Sequence, residues 1–366
     1  VSEAESPLRF AVVGCGVIGR HHAAVITGRP DAELAAVVDP VPSAADELAA
    51  QYGVTAYNDL GDVLARDDID GVALCTPSGD HAEQAVLALR AGKHVVIEKP
   101  LDVDLVAAAR LAEVANRSTA SATVISQHRF DPATEVVRAA VESGKLGRLT
   151  SAVASVAWWR SQSYYDSGAW RGTKAHDGGG ALINQSIHTI DLLIWLLGDP
   201  VEVTAYSACL AHDGLDVEDT AVAVIRFDSG ALAVVHGTTA AYPGTSARLQ
   251  VHGTHGSAII DDDRLVYFHA GGSGAEAPAY GGGDTNQAAL VLPAQDTGPS
   301  AGAEPSALSN AHSLQYADFL TAIRTGTEPL VTIAEATKTL AVILAIYDSA
   351  ARHVPVPIPS AASTGG

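Results

Sequence analysis

An apolar run that breaks into three spaced glycines constrains this chain more than any other stretch. It reads Phe10-Ala11-Val12-Val13-Gly14-Cys15-Gly16-Val17-Ile18-Gly19 and continues through Arg20 and His21 as a helix-like segment. Strand, G-x-G-x-x-G turn and helix in that order suit a dinucleotide. Gly14 makes the tight turn, Gly16 lets the backbone approach a pyrophosphate, and Gly19 lets the helix pack closely on its strand, with the phosphates at the helix's positive end. A lone glycine fingerprint is weak evidence. What strengthens it is a second apolar run, Leu34-Ala35-Ala36-Val37-Val38, ending in Asp39 twenty residues after Gly19, where a carboxylate accepts hydrogen bonds from the adenosine ribose. Pro40, Val41 and Pro42 follow, with no Arg or Lys to meet a 2′-phosphate. The fingerprint therefore predicts NAD rather than NADP.

At 366 residues the chain is long enough for two domains, each with its own core. Forty-two acidic against 22 basic residues give a formal charge of -20, which disfavours nucleic acid and anionic membrane as partners and points to a small molecule. No apolar run reaches membrane-spanning length, and Val1-Ser2-Glu3-Ala4-Glu5-Ser6 is acidic where a signal peptide is basic and then apolar, so a cytoplasmic enzyme is expected. Cys15, Cys75 and Cys209 show no C-x-x-C spacing and read as small buried thiols. There is no H-E-x-x-H and no zinc-dehydrogenase spacing, so no metal is called for.

The first 127 residues alternate short apolar runs with helical patterns, the signature of a doubly wound parallel sheet. Strands are predicted at Arg9 to Val13, Leu34 to Val38, Gly71 to Thr76, His94 to Ile97 and Thr123 to Gln127, with Ser43, Asn58 and Asp102 as helix caps. From residue 128 a second α/β domain is expected, with an open and mostly antiparallel sheet. Its strands are Leu149 to Trp159, Val201 to Leu210, Thr220 to Phe227, Ala231 to Thr239, Ala247 to His252 and Ser257 to Ile260. Ala231-Leu232-Ala233-Val234-Val235 is apolar on both of its faces, so both sheet faces should be covered, one of them by another subunit. Ala270 to Ser309 lacks periodicity and reads as a surface insertion; two helices, Ala311 to Thr325 and Thr332 to Arg352, precede a Pro/Ser/Gly tail over 354–366.

Two further motifs sit at carboxyl ends of predicted parallel strands, where open α/β sheets bind ligands: Thr76-Pro77 with His81, and Glu98-Lys99-Pro100. A lysine there can hold a hydroxyl oxygen or take its proton. From Ala181 to Leu197 the pattern is helical, and Asn184, His188 and Asp191 fall at i, i+4 and i+7 on one polar face of an otherwise apolar helix. A bound polyol would satisfy that stripe. Before it come Trp158, Trp159, Arg160, Tyr164, Tyr165, Trp170, Arg171 and His176, of which Trp170 and Arg171, in a loop, are the better candidates for stacking on and hydrogen-bonding a sugar.

With these residues in view, the chain resembles the glucose-fructose oxidoreductase and myo-inositol dehydrogenase family, Gfo/Idh/MocA. The resemblance rests on the glycine loop, Thr76-Pro77 to His81, Glu98-Lys99-Pro100, Arg129-Phe130-Asp131-Pro132, and Gly178-Gly179-Gly180 through His188 to Leu193. It implies an N-terminal nicotinamide-binding domain, a C-terminal α/β domain whose open sheet makes subunit contacts in a homodimer or homotetramer, and oxidation or reduction of a secondary alcohol of a sugar, glycoside or cyclitol. It places Lys99 and His188 at the reacting hydroxyl without ranking them, and Asn184, Arg129, Trp170, Arg171 and His176 around the substrate. It puts Gly14, Gly16, Val17, Ile18, Gly19, Asp39, Thr76, Pro77, His81, Glu98, Lys99 and Gln127 around the cofactor. The family often has aspartate where this chain has Asn184, an amide that hydrogen-bonds a hydroxyl or an imidazole but carries no charge. An NAD-dependent glycosidase or lyase acting through a transient keto sugar is the main alternative; a non-catalytic sugar sensor is less favoured because Lys99 and His188 are both retained.

Overall fold

The computed structural model describes residues 6–168, 171–174, 177–271, 286–293 and 310–359. The chain divides into two compact units, one built from residues 1–126 with 312–340, the other from 127–311 with the chain beyond 340. A single split after residue 127 omits that return of the chain to the first unit.

In the first unit the strands are β1 (Leu8–Val13), β2 (Ala32–Val38), β3 (Thr55–Tyr57), β4 (Gly71–Leu74), β5 (His94–Ile97) and β6 (Ala122–Val124). They pair in parallel in the order β3-β2-β1-β4-β5-β6. Direction of winding reverses between β1 and β4, and the glycine loop leaves β1 there, at the switch point where such sheets bind ligands. Helices α1 (Val17–Thr27), α2 (Pro42–Tyr52), α3 (Leu60–Leu64), α4 (His81–Arg90) and α5 (Leu105–Arg117) connect the strands. From far along the chain, α10 (Ala311–Thr325) adds Tyr316, Phe319 and Leu320 to a core containing Phe10, Ile26 and Leu48. The caps differ from the expected ones. Asp59 caps α3 and Asp104 caps α5, whereas Asp102 spends its carboxylate on the N–H groups of Ala82, Val103 and Asp104. α2 starts at Pro42, whose fixed φ suits a first helical position.

The second unit carries an eight-stranded sheet. Its elements are α6 (Pro132–Glu142), β7 (Leu149–Ala157), α7 (Gln162–Asp166), α8 (Ile187–Leu197), β8 (Pro200–Ala208), β9 (Thr220–Phe227), β10 (Leu232–Thr238), β11 (Ala247–Gly253), β12 (Gly256–Asp261), β13 (Arg264–Ala270), α9 (Ala288–Val291) and β14 (Val356–Pro357). α11 (Ile333–Arg352) begins in the first unit and ends in this one. The order is β13-β12-β11-β7-β10-β9-β8-β14, antiparallel except for the central pair, where β7 and β10 run parallel. One face of β8, β9 and β10 is buried; the other leaves Tyr206, Val222, Val224, Leu232 and Val234 exposed, so among the described residues only one face is covered. Part of the presumed insertion is pinned to β13, since Asn286 Oδ1 accepts from Phe268 N at 3.1 Å. The tail likewise begins as β14, paired with β8.

Candidate active site

Within the first unit the glycine loop takes the form its sequence requires. Gly14 has φ +94°, and a Cβ on it would meet the Cys75 carbonyl oxygen at 2.5 Å; a Cβ on Gly19 would lie 1.8 Å from the Gly14 carbonyl oxygen. A Cβ on Gly16 meets nothing within 4 Å, so open space lies over the residue meant to admit a phosphate. Gly16 is also the N-cap of α1 and offers no side chain to its first N–H groups, leaving them for an anion. Asp39 stands at the end of β2, its two carboxylate oxygens accepting from Cys15 N (2.8 Å) and Val41 N (2.9 Å).

Two of the predicted cofactor contacts are turned inward instead. His81 is buried, its ring nitrogens 2.7 Å from the Pro100 carbonyl oxygen and 2.9 Å from that of Thr76, so it braces the loops after β4 and β5 against each other. Glu98 is buried as well. His22 Nε2 donates to its Oε1 at 2.8 Å, and the N–H of Lys99 donates to Oε2 at 3.0 Å. Burial alone would raise the Glu98 carboxyl, but hydrogen bonds from His22 and His312 outweigh it and hold the group well below the carboxylate range. For His21, burial acts first and the neighbouring His312 and His22 add to it, lowering its pKa to about 4. Thr76 Oγ1 donates to Gln84 Oε1 at 2.7 Å, which fixes the rotamer of the residue leading into Pro77. Of the thiols, Cys15 and Cys75 are buried as expected, but Cys209 is exposed.

In the second unit the helix expected from Ala181 to Leu197 begins as a π-turn over Ala181–Ser186 and becomes α-helical only at Ile187. The wider turn shows in its side chains, which reach back five residues: Asn184 Nδ2 donates to the Gly179 carbonyl at 3.0 Å, and Ser186 Oγ to that of Ala181 at 2.9 Å. A π-turn closes its hydrogen bond over five residues where an α-turn closes over four, so the backbone over Ala181–Ser186 is wider than α-helical spacing assumes. Asp191 is not available to a polyol. It is buried and takes a fork from Arg129, Nε to Oδ2 and Nη2 to Oδ1, both at 2.7 Å. Arg129, expected at the substrate, is only 1% exposed and is committed to this pair. His188 lies edge-on to His128, ring centroids 5.1 Å apart. His128 Nδ1 in turn contacts Asp131 (2.7 Å) and Asp263 (3.0 Å). Burial opposes charging of His128, but Asp263 and Asp131 overcome it and raise the pKa well above the usual imidazole value. A pocket between α8 and the β11–β12 edge is lined by His128, Trp158, Gln185, His188, Arg248 and Asp263.

Several residues that hold this arrangement escaped the sequence reading. Glu218 accepts from Gly180 N (3.0 Å), Leu182 N (2.9 Å) and the Tyr347 hydroxyl (3.0 Å), clamping the start of the π-turn. Its only signal was an acidic pair, Glu218-Asp219, opening an apolar strand. Gly237 on β10 lies under the same turn; a Cβ there would stand 2.6 Å from Ser186 Oγ and 2.8 Å from Leu182 Cδ2. The aromatic and basic window does assemble around the turn. The Arg160 guanidinium covers the rings of Trp158 and Tyr164 and donates to Gln185 Oε1 at 3.0 Å, while Arg171 donates to the Tyr164 hydroxyl at 2.8 Å. Trp170 and His176 lie outside the described residues.

Residues 8–126 match the oxidoreductase family described as an NAD-binding Rossmann fold, and residues 134–259 match the Gfo/Idh/MocA C-terminal domain. The chain belongs to the Gfo/Idh/MocA family of oxidoreductases. Inositol 2-dehydrogenase of Rhizobium meliloti (strain 1021) is 32% identical over 277 residues, which cover 74% of this chain and 81% of that protein. The scyllo-inositol 2-dehydrogenase (NAD(+)) of Bacillus subtilis (strain 168) is 28% identical over 363 residues, 96% of each chain. Among solved structures, the WlbA dehydrogenase from Bordetella pertussis, in complex with NADH and UDP-GlcNAcA, superposes with a TM-score of 0.82 at 31% identity, covering 96% of this chain and 99% of that one. The first unit of this Gfo/Idh/MocA protein is thus its NAD-binding domain, and the glycine loop and Asp39 are the residues that fit NAD by geometry. Among the described residues no helix is long and apolar enough to cross a membrane.

Proposed function

We propose that this Gfo/Idh/MocA protein is an NAD-dependent dehydrogenase of a secondary hydroxyl on a sugar, glycoside or cyclitol. The observation that carries the substrate class is the polar and aromatic group gathered on the π-turn: Asn184, Gln185, Arg160, Arg171, Tyr164 and Trp158 offer hydroxyl-binding groups beside a flat apolar face, as a polyol ring needs. Relatives named for inositol support the same class. Bound NAD supplies the hydride acceptor. The hydroxyl's proton is assigned to His188 of the second unit or to Lys99 of the first, each a side chain able to take a proton or to hold a hydroxyl oxygen. Asn184 positions a substrate hydroxyl, since an amide donates and accepts but carries no charge.

The protein works as a homo-oligomer through the exposed face of β8, β9 and β10. Val224 pairs with Val234 across that face, in a contiguous apolar patch of the kind subunits cover. The test of function is a panel of inositols, free sugars and glycosides incubated with NAD, read by NADH fluorescence. NADH formed with an intact polyol is the expected result. Aglycone release without net NADH would instead establish the glycosidase, and no turnover of any polyol by protein that binds NAD would refute the substrate class.

A further inference from the structure

Behind the glycine loop, inside the first unit, a side-chain cluster is left over that hydride chemistry does not use. His22 on α1, Glu98 after β5 and His312 on α10 are 1%, 5% and 2% exposed. Glu98 Oε1 lies 2.8 Å from His22 Nε2 and 3.7 Å from His312 Nε2, and the three donor atoms all fall within 4.8 Å of one another. His22 Nδ1 is 2.7 Å from the Tyr316 hydroxyl. Against His312, ring centroids 4.6 Å apart, stands His21, whose Nε2 is buried and meets no hydrogen-bond partner among the described residues.

Three imidazoles and a carboxylate are an expensive set of groups to bury together, and an orphaned ring nitrogen among them requires an explanation. A tetrahedral zinc-class ion, with bonds of about 2.0–2.2 Å to imidazole nitrogen and carboxylate oxygen, sets its ligand atoms roughly 3.3 Å apart. The two contacts to Glu98 bracket that separation. The Tyr316 hydroxyl also fits, because a metal-bound imidazole donates its other N–H to an outer partner that fixes the ring. The other such His and carboxylate group among the described residues, His128 with Asp131 and Asp263, is of another kind: a single nitrogen already lies against both carboxylates, which closes the set on itself. Imidazole nitrogen favours zinc, cobalt or nickel over magnesium and calcium.

We propose that His22, Glu98 and His312 form a binding site for one zinc-class transition-metal ion, with His21, which stands against the His312 ring outside this set, turning in to supply the fourth ligand. The ion joins α1, the end of β5 and α10, three segments far apart in sequence, which is why no ligand spacing announces it. His21, the least buried of the four, marks the side from which the ion enters.

The test uses the full chain, stripped with chelator and titrated with Zn2+ by calorimetry and with Co2+ by visible absorption. One ion per chain, binding at micromolar or tighter Kd, intense tetrahedral Co2+ bands and a raised unfolding temperature are expected. His312→Gln and His21→Gln should each weaken binding at least about tenfold, and Asp263→Asn should leave it unchanged. His21 sits at the edge of the core, so its variant reports on the site even if His312→Gln fails to fold. Absence of saturable binding overturns the proposal, as does affinity lost in Asp263→Asn and kept in His21→Gln, which would move the ion to the second unit.

Discussion

Gly237→Ala tests whether the π-turn is held from below. The new methyl would sit 2.6 Å from Ser186 Oγ and 2.8 Å from Leu182 Cδ2. Neither atom has an easy retreat: Ser186 Oγ is bonded to the Ala181 carbonyl, and Leu182 is fully buried. Overpacking a core by one methyl costs about 1–3 kcal/mol, and breaking the Ser186 hydrogen bond adds about 0.5–1.5 kcal/mol. The expected loss is therefore about 2–4 kcal/mol. Ser186→Ala alone should cost about 1 kcal/mol, and because it removes the nearer clash, the double variant should cost at least about 1 kcal/mol less than the sum of the two singles. Urea unfolding of the four proteins measures this cycle. Since the turn carries Asn184 and leads into His188, kcat should fall with Gly237→Ala while NAD affinity, set by the first unit, stays within about twofold. Strict additivity, or a Gly237→Ala protein within about 0.5 kcal/mol of wild type, would refute the idea that this glycine makes room for the turn.

Arg129→Leu should destabilise by about 3–5 kcal/mol, because it strands the buried Asp191 carboxylate, and Arg129→Leu with Asp191→Leu should recover much of that loss in the same unfolding assay. Asp39→Ser should narrow the preference for NAD over NADP, measured as the ratio of kcat/KM for the two cofactors, because the carboxylate that repels a 2′-phosphate is gone. The folded pKa of His128 lies above the unfolded value of about 6.5, so its contribution to stability is full below that pH and is lost as pH rises through the folded pKa; Tm measured against pH should fall along that limb in wild type and flatten in His128→Gln. His188→Ala should lower kcat by roughly 10²- to 10⁴-fold, and Asn184→Asp, which sets a charge near the imidazole, should move the acidic limb of the pH-rate profile upward.

Most of the nucleotide-binding sheet was legible because strands buried on both faces leave unbroken apolar runs, as β1, β2 and β4 do. β3, three residues long and half-exposed, leaves no such run and was missed. In the second unit β7 to β12 were readable, but β13 and β14 were missed, and so was the parallel pairing of β7 with β10, which joins strands separated by α8 and a hairpin. The glycine loop and Asp39 carried their roles in their spacing. Arg129 and Glu98 did not: each looks like a polar residue at a ligand-bearing edge, and only the tertiary partners, Asp191 and His22, reveal that their charges are held inside. The π-turn was invisible because a turn closed over five residues uses the same residue types as one closed over four.

Neither unit is continuous in sequence, and that governs how the protein is made. A ribosome releases β1 to β6 long before Tyr316, Phe319 and Leu320, which lie against Phe10 and Leu48 in the finished core. Between Ser126 and Leu320 lie 194 positions of further synthesis, about 10–40 s at ordinary elongation rates. For that interval the nascent sheet carries an uncovered apolar flank, and the eight-stranded sheet still waits for β14. The coding order thus completes the two cores only once α10 and β14 have been made, with a long window in which a holdase can bind the flank or neighbouring nascent chains can aggregate through it.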